Sequence, residues 1–327
     1  MKVPIVKPDI GELERKYLLQ AFDEGEIGVK SRFNRLFEEK LAEYTGFKYA
    51  VFCNSGWSAL LLAARAANRG KYILPNFTMI ATATAPLQAR QKLDIRGVNE
   101  RGLMEGDFNE AVISVDIYGK MPKITAPFII EDAAEIFGRH KYYGDIVCFS
   151  FFFNKIMTVG EGGACVTNDS RLYEQMKLYR HHYYDGKSYD HLRDGYNVSQ
   201  SGLQAAIGLA QLERIDELLE KRRKIGERYV KELGAWECTE YWYQPLIVKD
   251  KEKFKKFMDN KDIEVRDMFN PMNKQPCLIN NPDVDFKLGP DYSQQLFDNG
   301  ILLPMYSAMT QEEQDYIIKS VKGYEKA

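Results

Sequence analysis

Histidine and cysteine are both scarce in this chain, with four and five residues among 327. Cys53, Cys148, Cys165, Cys238 and Cys277 form no Cys-x-x-Cys pair and stand in apolar surroundings, so they read as reduced core residues of a cytosolic protein. His181, His182 and His191 have no cysteine or carboxylate at the spacing zinc requires, and no metal site is expected. Neither sign of charge is in excess: the formal net charge is -2, which gives no reason to expect a nucleic-acid or anionic-membrane partner. No apolar run is long enough to span a bilayer. The opening Met1-Lys-Val-Pro-Ile-Val-Lys-Pro lacks the apolar segment of a secretory signal, so a cytoplasmic location is expected. The Asn-x-Ser/Thr triplets at Asn76, Asn168 and Asn197 then carry no meaning as glycosylation sites. Repeats and low-complexity tracts are absent too. A chain of this length, 45% hydrophobic and 28% charged, has material for a large and a small globular domain.

What the sequence does have is one stretch that places a lysine. From Gly144, an apolar run over 146–153 holds Ser150 and delivers Asn154 and Lys155 to its end; Gly160, Gly162 and Gly163 then turn the chain into a second run over 164–167. Phe151, Phe152, Phe153, Ile156 and Met157 flank Lys155, and an ammonium among them is poorly solvated. Its pKa should fall and its neutral amine become a nucleophile, which a Schiff-base lysine requires. The same residues allow a plainer reading, a lysine at a strand end with its head in water.

Around this stretch the pattern alternates. Residues 12–24 and 32–45 predict helices, the second with Phe33, Leu36, Phe37, Leu41 and Tyr44 on one face. A buried strand over 49–53 leads through Asn54-Ser-Gly into a helix over 57–68. The free N-H groups of such a helix start can hold an anion, although Asn54 or Ser55 could serve there as an ordinary cap. Strands at 72–75, 92–98, 111–117 and 127–130, with a helix at 78–89, argue for an α/β domain. Its sheet should be largely parallel, with ligands gathered at the strand ends. Asp132 follows one such strand. It is either a carboxylate kept ionised in a dry site by a cation or donors, or a cap for the next helix. Residues 171–182 predict a helix and 183–195 a polar, turn-rich segment. A continuous helix over 203–233 then leaves a large domain (1–233) for a smaller α+β domain (234–327).

Several segments occur in an order that resembles the DegT/DnrJ/EryC1/StrS sugar aminotransferases. They are Asn54-Ser-Gly-Trp-Ser-Ala-Leu, Glu131-Asp-Ala-Ala-Glu, Phe149-Ser-Phe-Phe-Phe-Asn-Lys with its glycine turn, Gly195-Tyr-Asn followed by Leu203-Gln-Ala-Ala-Ile-Gly, and the stretches 266–276 and 302–306. The resemblance implies an aspartate-aminotransferase-like fold (fold type I) and a homodimer whose shared active sites use pyridoxal 5'-phosphate. By that likeness Lys155 binds the cofactor covalently and later shuttles a proton, Asp132 pairs with the pyridine nitrogen, and Glu135 approaches the ring hydroxyl. Gly56, Trp57 and Ser150, with the partner subunit's Asn197, match phosphate-binding positions, and Met79 stands where an aromatic residue often covers the ring. Asp116 and Asn273 stand where histidine is frequent. His181, Lys187 and Arg193 could line the site's opening and meet a substrate diphosphate.

The activity implied is transfer of an amino group from glutamate to a 4-keto-6-deoxy nucleotide sugar, with a GDP-linked hexose and a perosamine-like product foremost. A 3-keto acceptor is an alternative. Trp57, Met79 and the altered Asn197 segment also leave room for a non-catalytic binding protein on the same fold. A related lyase is disfavoured, because the family's sugar dehydratases carry histidine in place of the lysine.

Overall fold

In the computed structural model, residues 1–184 and 190–324 are described; Lys187 lies outside them. The strands are β1 Tyr49–Cys53, β2 Lys71–Pro75, β3 Lys92–Arg96, β4 Gly106–Asp107, β5 Val112–Val115, β6 Ile124–Thr125 and β7 Ile129–Asp132. They continue with β8 Ile146–Ser150, β9 Gly163–Thr167, β10 Gln244–Ile247, β11 Arg266–Asp267, β12 Val284–Phe286 and β13 Gly300–Leu303. Eight of them form one sheet in the order β1-β9-β8-β7-β5-β2-β3-β12. Neighbours from β8 to β12 pair in parallel, while β9 runs antiparallel to both β1 and β8. The central strands are apolar on both faces because helices cover both sides, as parallel sheets require.

Alternation along each strand sorts residues between two cores. Val51 and Cys53 of β1, Ile113 of β5 and Cys148 of β8 pack with helix α3 (Gly56–Ala67). Phe52, Val112, Val147 and Phe149 point the other way, onto Phe33, Phe37 and Ala205. These last come from α2 (Arg32–Thr45) and α6 (Gly202–Glu213). Helix α1 (Glu12–Asp23) lies against α6, and α4 (Ala81–Gln88) and α5 (Ser170–Arg180) join α3.

The predicted continuous helix over 203–233 is in fact two, α6 and α7 (Ile215–Leu233). Arg214 breaks the run at φ -110, ψ 13, and its guanidinium pairs with Asp9 at 2.7 Å and Glu14 at 3.3 Å. Gln211 adds hydrogen bonds to the Asp9 carbonyl and to Glu14. The apolar periodicity runs through this junction unchanged. The break is imposed by a polar knot with the N-terminal segment, which periodicity cannot show.

After α7 the chain forms the antiparallel sheet β10-β13-β11. β12 then returns to the large sheet beside β3, so residues 234–327 contribute strands to both sheets. No helix among the described residues is long and apolar enough to cross a membrane.

Candidate active site

The carboxyl ends of the parallel strands converge on a cavity of about 360 Å³. β7 ends at Asp132 and β8 at Ser150, while β1 leads to Ser55 and Gly56, and β2 to Thr78 and Met79. Trp242, Arg266 and Phe269 close the cavity from the C-terminal part of the chain.

One corner is built for an anion. Ser55 Oγ accepts from Ser58 N at 3.1 Å and caps α3, which leaves the Gly56 and Trp57 N-H groups at the helix's positive end. The cap reading of this turn therefore holds for Ser55, with the Gly56 and Trp57 N-H groups beside it. The fit demands glycine twice. A Cβ on Gly56 would lie 2.7 Å from Ser150 Cβ, and one on Gly163 would lie 2.2 Å from the Ser55 carbonyl. Trp57 lines the cavity but ties its indole back, Nε1 donating to Thr84 Oγ1 at 3.0 Å.

Opposite this corner stands the lysine. Lys155 Nζ lies 3.7 Å from the centroid of the Trp242 ring. Burial holds its ammonium below the ordinary lysine range, and Glu135 and Asp132 partly restore the charge. Asp132 is buried; its Oδ2 accepts from Thr82 Oγ1 at 2.8 Å and its Oδ1 from Ala134 N at 3.3 Å. Burial raises its pKa despite those donors and the lysine. Glu135, also buried, accepts from Tyr118 N at 2.6 Å, and burial pushes it up to about 8. Tyr118 adopts φ 48, a left-handed conformation unusual for a tyrosine, and its hydroxyl accepts from Phe269 N at 2.9 Å. A carboxylate that is uncomfortable when charged becomes a strong partner once a cation arrives.

Of the residues singled out in the sequence, Gly56, Trp57, Met79, Asp132, Glu135, Ser150 and Lys155 line this one cavity. Met79 is 47% exposed and turns its sulfur toward Ala81 N. Asn197, His181, Arg193 and Asn273 do not line it. Asn197 is exposed, its backbone paired with His181. Arg193 donates to Tyr179 Oη, and Asn273 exchanges hydrogen bonds with Asn76.

The setting of Lys155 also differs from the expectation. Phe153 is 41% exposed, and the ring beside the amine is Trp242, brought from 87 residues downstream. Trp242, Thr82 and Tyr118 contact Lys155, Asp132 and Glu135 respectively, and none of the three has a local signal in the sequence. Arg266 opened a family-like segment without being given a role.

This arrangement defines a class: an α/β enzyme with a desolvated lysine amine, a buried carboxylate and a neutral anion corner at the strand ends. The donor set fits pyridoxal 5'-phosphate, with N-H groups and Ser150 for the phosphate, Asp132 for a protonated ring nitrogen and Lys155 for the aldehyde carbon. Comparison with known proteins agrees. GDP-perosamine synthase of Escherichia coli O157:H7 is 29% identical, with 98% of each chain covered. Among solved structures, Helicobacter pylori PseC, an aminotransferase involved in the biosynthesis of pseudoaminic acid, superposes over the whole of both chains with TM-score 0.86 at 23% identity. E. coli GDP-4-keto-6-deoxy-D-mannose-3-dehydratase with bound hydrated PLP matches with TM-score 0.86 at 18% identity, covering 98% of this chain and 99% of that one. The chain matches the sequence profile of the DegT/DnrJ/EryC1/StrS aminotransferase family over residues 8–322 and belongs to that family, as a pyridoxal-phosphate-dependent sugar aminotransferase.

Proposed function

We propose that this protein moves the amino group of glutamate onto C4 of a 4-keto-6-deoxy nucleotide sugar, with a GDP-linked hexose as first acceptor and a perosamine-type product. The observation that carries the transfer reading is Lys155 itself, an amine of lowered proton affinity that shares one cavity with Asp132, Glu135 and the anion corner. The acceptor reading is supported by the nearly end-to-end likeness to GDP-perosamine synthase. It is also supported by an open cavity mouth at the exposed Met79, since glutamate and a much larger sugar must enter in turn.

Bound pyridoxal phosphate supplies an electron sink for the exchange of amino groups. The chain's residues do the rest. Gly56 N-H, Trp57 N-H and Ser150 anchor the phosphate without a formal positive charge. Asp132, fixed by Thr82 and Ala134, holds a proton on the ring nitrogen. Glu135 approaches the ring hydroxyl. Lys155 would hold the cofactor's aldehyde carbon and, as a free amine, would move the proton between the substrate Cα and C4'. The partner subunit's Asn197 completes the phosphate site in a homodimer.

Purified protein incubated with glutamate and a panel of keto-sugar nucleotides, followed by mass spectrometry, tests the assignment. GDP-4-keto-6-deoxymannose should gain an amino group. Faster amination of a 3-keto sugar, or no amination of any sugar, would overturn it. Borohydride should fix the cofactor to the Lys155 peptide and to no other.

A further inference from the structure

Trp242 is the closest aromatic partner of the reacting lysine, yet nothing in the mechanism above uses it. Its indole is 4% exposed. One face receives Lys155 Nζ at 3.7 Å from the centroid, and Nε1 donates to the Asn154 carbonyl at 2.9 Å, one residue before the lysine. The ring also stacks on Tyr118, with centroids 6.2 Å apart and planes at 13°, and Tyr118 stacks in turn on Phe269 at 5.3 Å and 9°. A single side chain thus holds both the head of Lys155 and the backbone that carries it.

Arg222 on α7 fixes the turn that bears this tryptophan. It is 3% exposed, a costly place for a guanidinium, and its donors converge there. Nη1 reaches the Tyr241 carbonyl at 3.2 Å and the Trp242 carbonyl at 3.0 Å, and Nε reaches Ser307 Oγ at 3.1 Å. The backbone that bears the indole cannot shift without breaking this anchor.

We propose that Trp242 is the positioning residue for the reacting lysine: its face receives the Lys155 ammonium whenever that amine is not bonded to cofactor, and its ring nitrogen fixes the approach of the backbone. The inference rests on Lys155 as the reacting group and is independent of which sugar is aminated. A lysine released during turnover must return to the same atom. An aromatic face offers an ammonium electrostatic attraction without the directional grip of a carboxylate, so it can hold the amine and let it go. The charged groups facing Lys155 are Asp132 and Glu135, which favour the ammonium, and Arg266, which opposes it.

The test reads the lysine's protonation in the cofactor-free full chain, apart from catalysis. Reductive methylation with formaldehyde and cyanoborohydride, quantified at the Lys155 peptide across pH, gives the midpoint at which the amine becomes reactive. Two roles of the ring predict opposite signs for Trp242→Leu. If the ring only fills space, the smaller residue admits water, the ammonium is better solvated and the midpoint rises. If the ring face holds the cation, its loss lowers the midpoint by about one pH unit, a tenfold faster modification below it. We expect the fall, and we expect Trp242→Phe, which keeps a face and loses only Nε1-H, to leave the midpoint close to wild type. A rise, no change, or an equal fall in Trp242→Phe would overturn the proposal. Should the leucine chain not fold, Trp242→Met is read in the same way.

Discussion

Asp116 and Glu131 lie side by side with one buried oxygen each, Asp116 Oδ2 and Glu131 Oε1, that no N-H or hydroxyl of the described residues reaches. Their other oxygens are satisfied: Asp116 Oδ1 accepts from Tyr143 Oη, and Glu131 Oε2 accepts from Tyr143 N at 2.8 Å and Gly144 N at 2.7 Å. Two adjacent buried acceptors are reconciled by a proton held between them. Burial raises both carboxyls above their ordinary range.

A raised carboxyl pKa has a definite sign in stability. The contribution is fully present below the ordinary carboxylate range and is lost as pH rises through the raised value. Glu131→Gln should remove that loss, because its amide oxygen can keep both backbone bonds while its N-H₂ gives Asp116 a donor. The variant should therefore gain on wild type by about 1–3 kcal/mol in the alkaline range, with little difference in acid. Thermal melts across pH would show a gap that widens upward; a constant or narrowing gap would mean that no proton is shared.

Asp132→Asn tests the charge under the ring. Asparagine can still meet Thr82, but it cannot hold the ring nitrogen protonated. Turnover should fall about a hundredfold or more while cofactor binding persists, the scale of removing one preorganised electrostatic stabiliser. Near-normal turnover would show that another carboxyl does this work, and Glu135, likewise buried within the cavity, would be the first to examine.

Much of this site was legible because its parts are local. Asp132 and Ser150 end apolar strands, Gly56 opens a helix after one, and Lys155 closes the most apolar run of the chain, so strand-end chemistry pointed to all four. Trp242 and Thr82 could not be found that way: one arrives through the packing of the C-terminal sheet, the other through a helix start shifted to Ala81. The break at Arg214 was hidden for a related reason. Its cause, the ion pair with Asp9 and Glu14, is about two hundred residues away in sequence, and an apolar period says nothing about such partners.

The proposed sharing of sites between two subunits makes a prediction that a monomer cannot meet. The segment around Asn197 is pinned through backbone bonds from Tyr196 N to Tyr179 O and from Asn54 N to Val198 O, yet the Asn197 side chain is exposed and outside its own cavity. Lys155→Ala and Asn197→Asp chains, each inactive alone, should recover activity when mixed. Random exchange leaves half the dimers with one intact site, or about a quarter of wild-type activity. No recovery despite proven subunit exchange would place Asn197 outside the partner's site.

Two arginines should split the reaction in opposite directions. Arg266 lines the cavity with Lys155, and its Nη1 donates a long 3.3 Å hydrogen bond to Tyr243 Oη, so the rest of its fork can meet a carboxylate of glutamate. Arg266→Gln should raise the KM for glutamate about a hundredfold, the scale of losing a desolvated charge pair. Arg193 is different: it is exposed and donates to Tyr179 Oη at 3.3 Å, and under the proposed function it would meet the substrate's diphosphate outside the cavity. Arg193→Glu should raise the KM for the nucleotide sugar and leave the glutamate half-reaction, followed by the cofactor's colour change, nearly unaltered. The two half-reactions measured separately decide the matter. If Arg193→Glu slowed both equally, that segment would be supporting the cofactor. If Arg266→Gln spared glutamate, the donor's carboxylates would be held elsewhere, and the C-terminal wall of the cavity would serve the sugar.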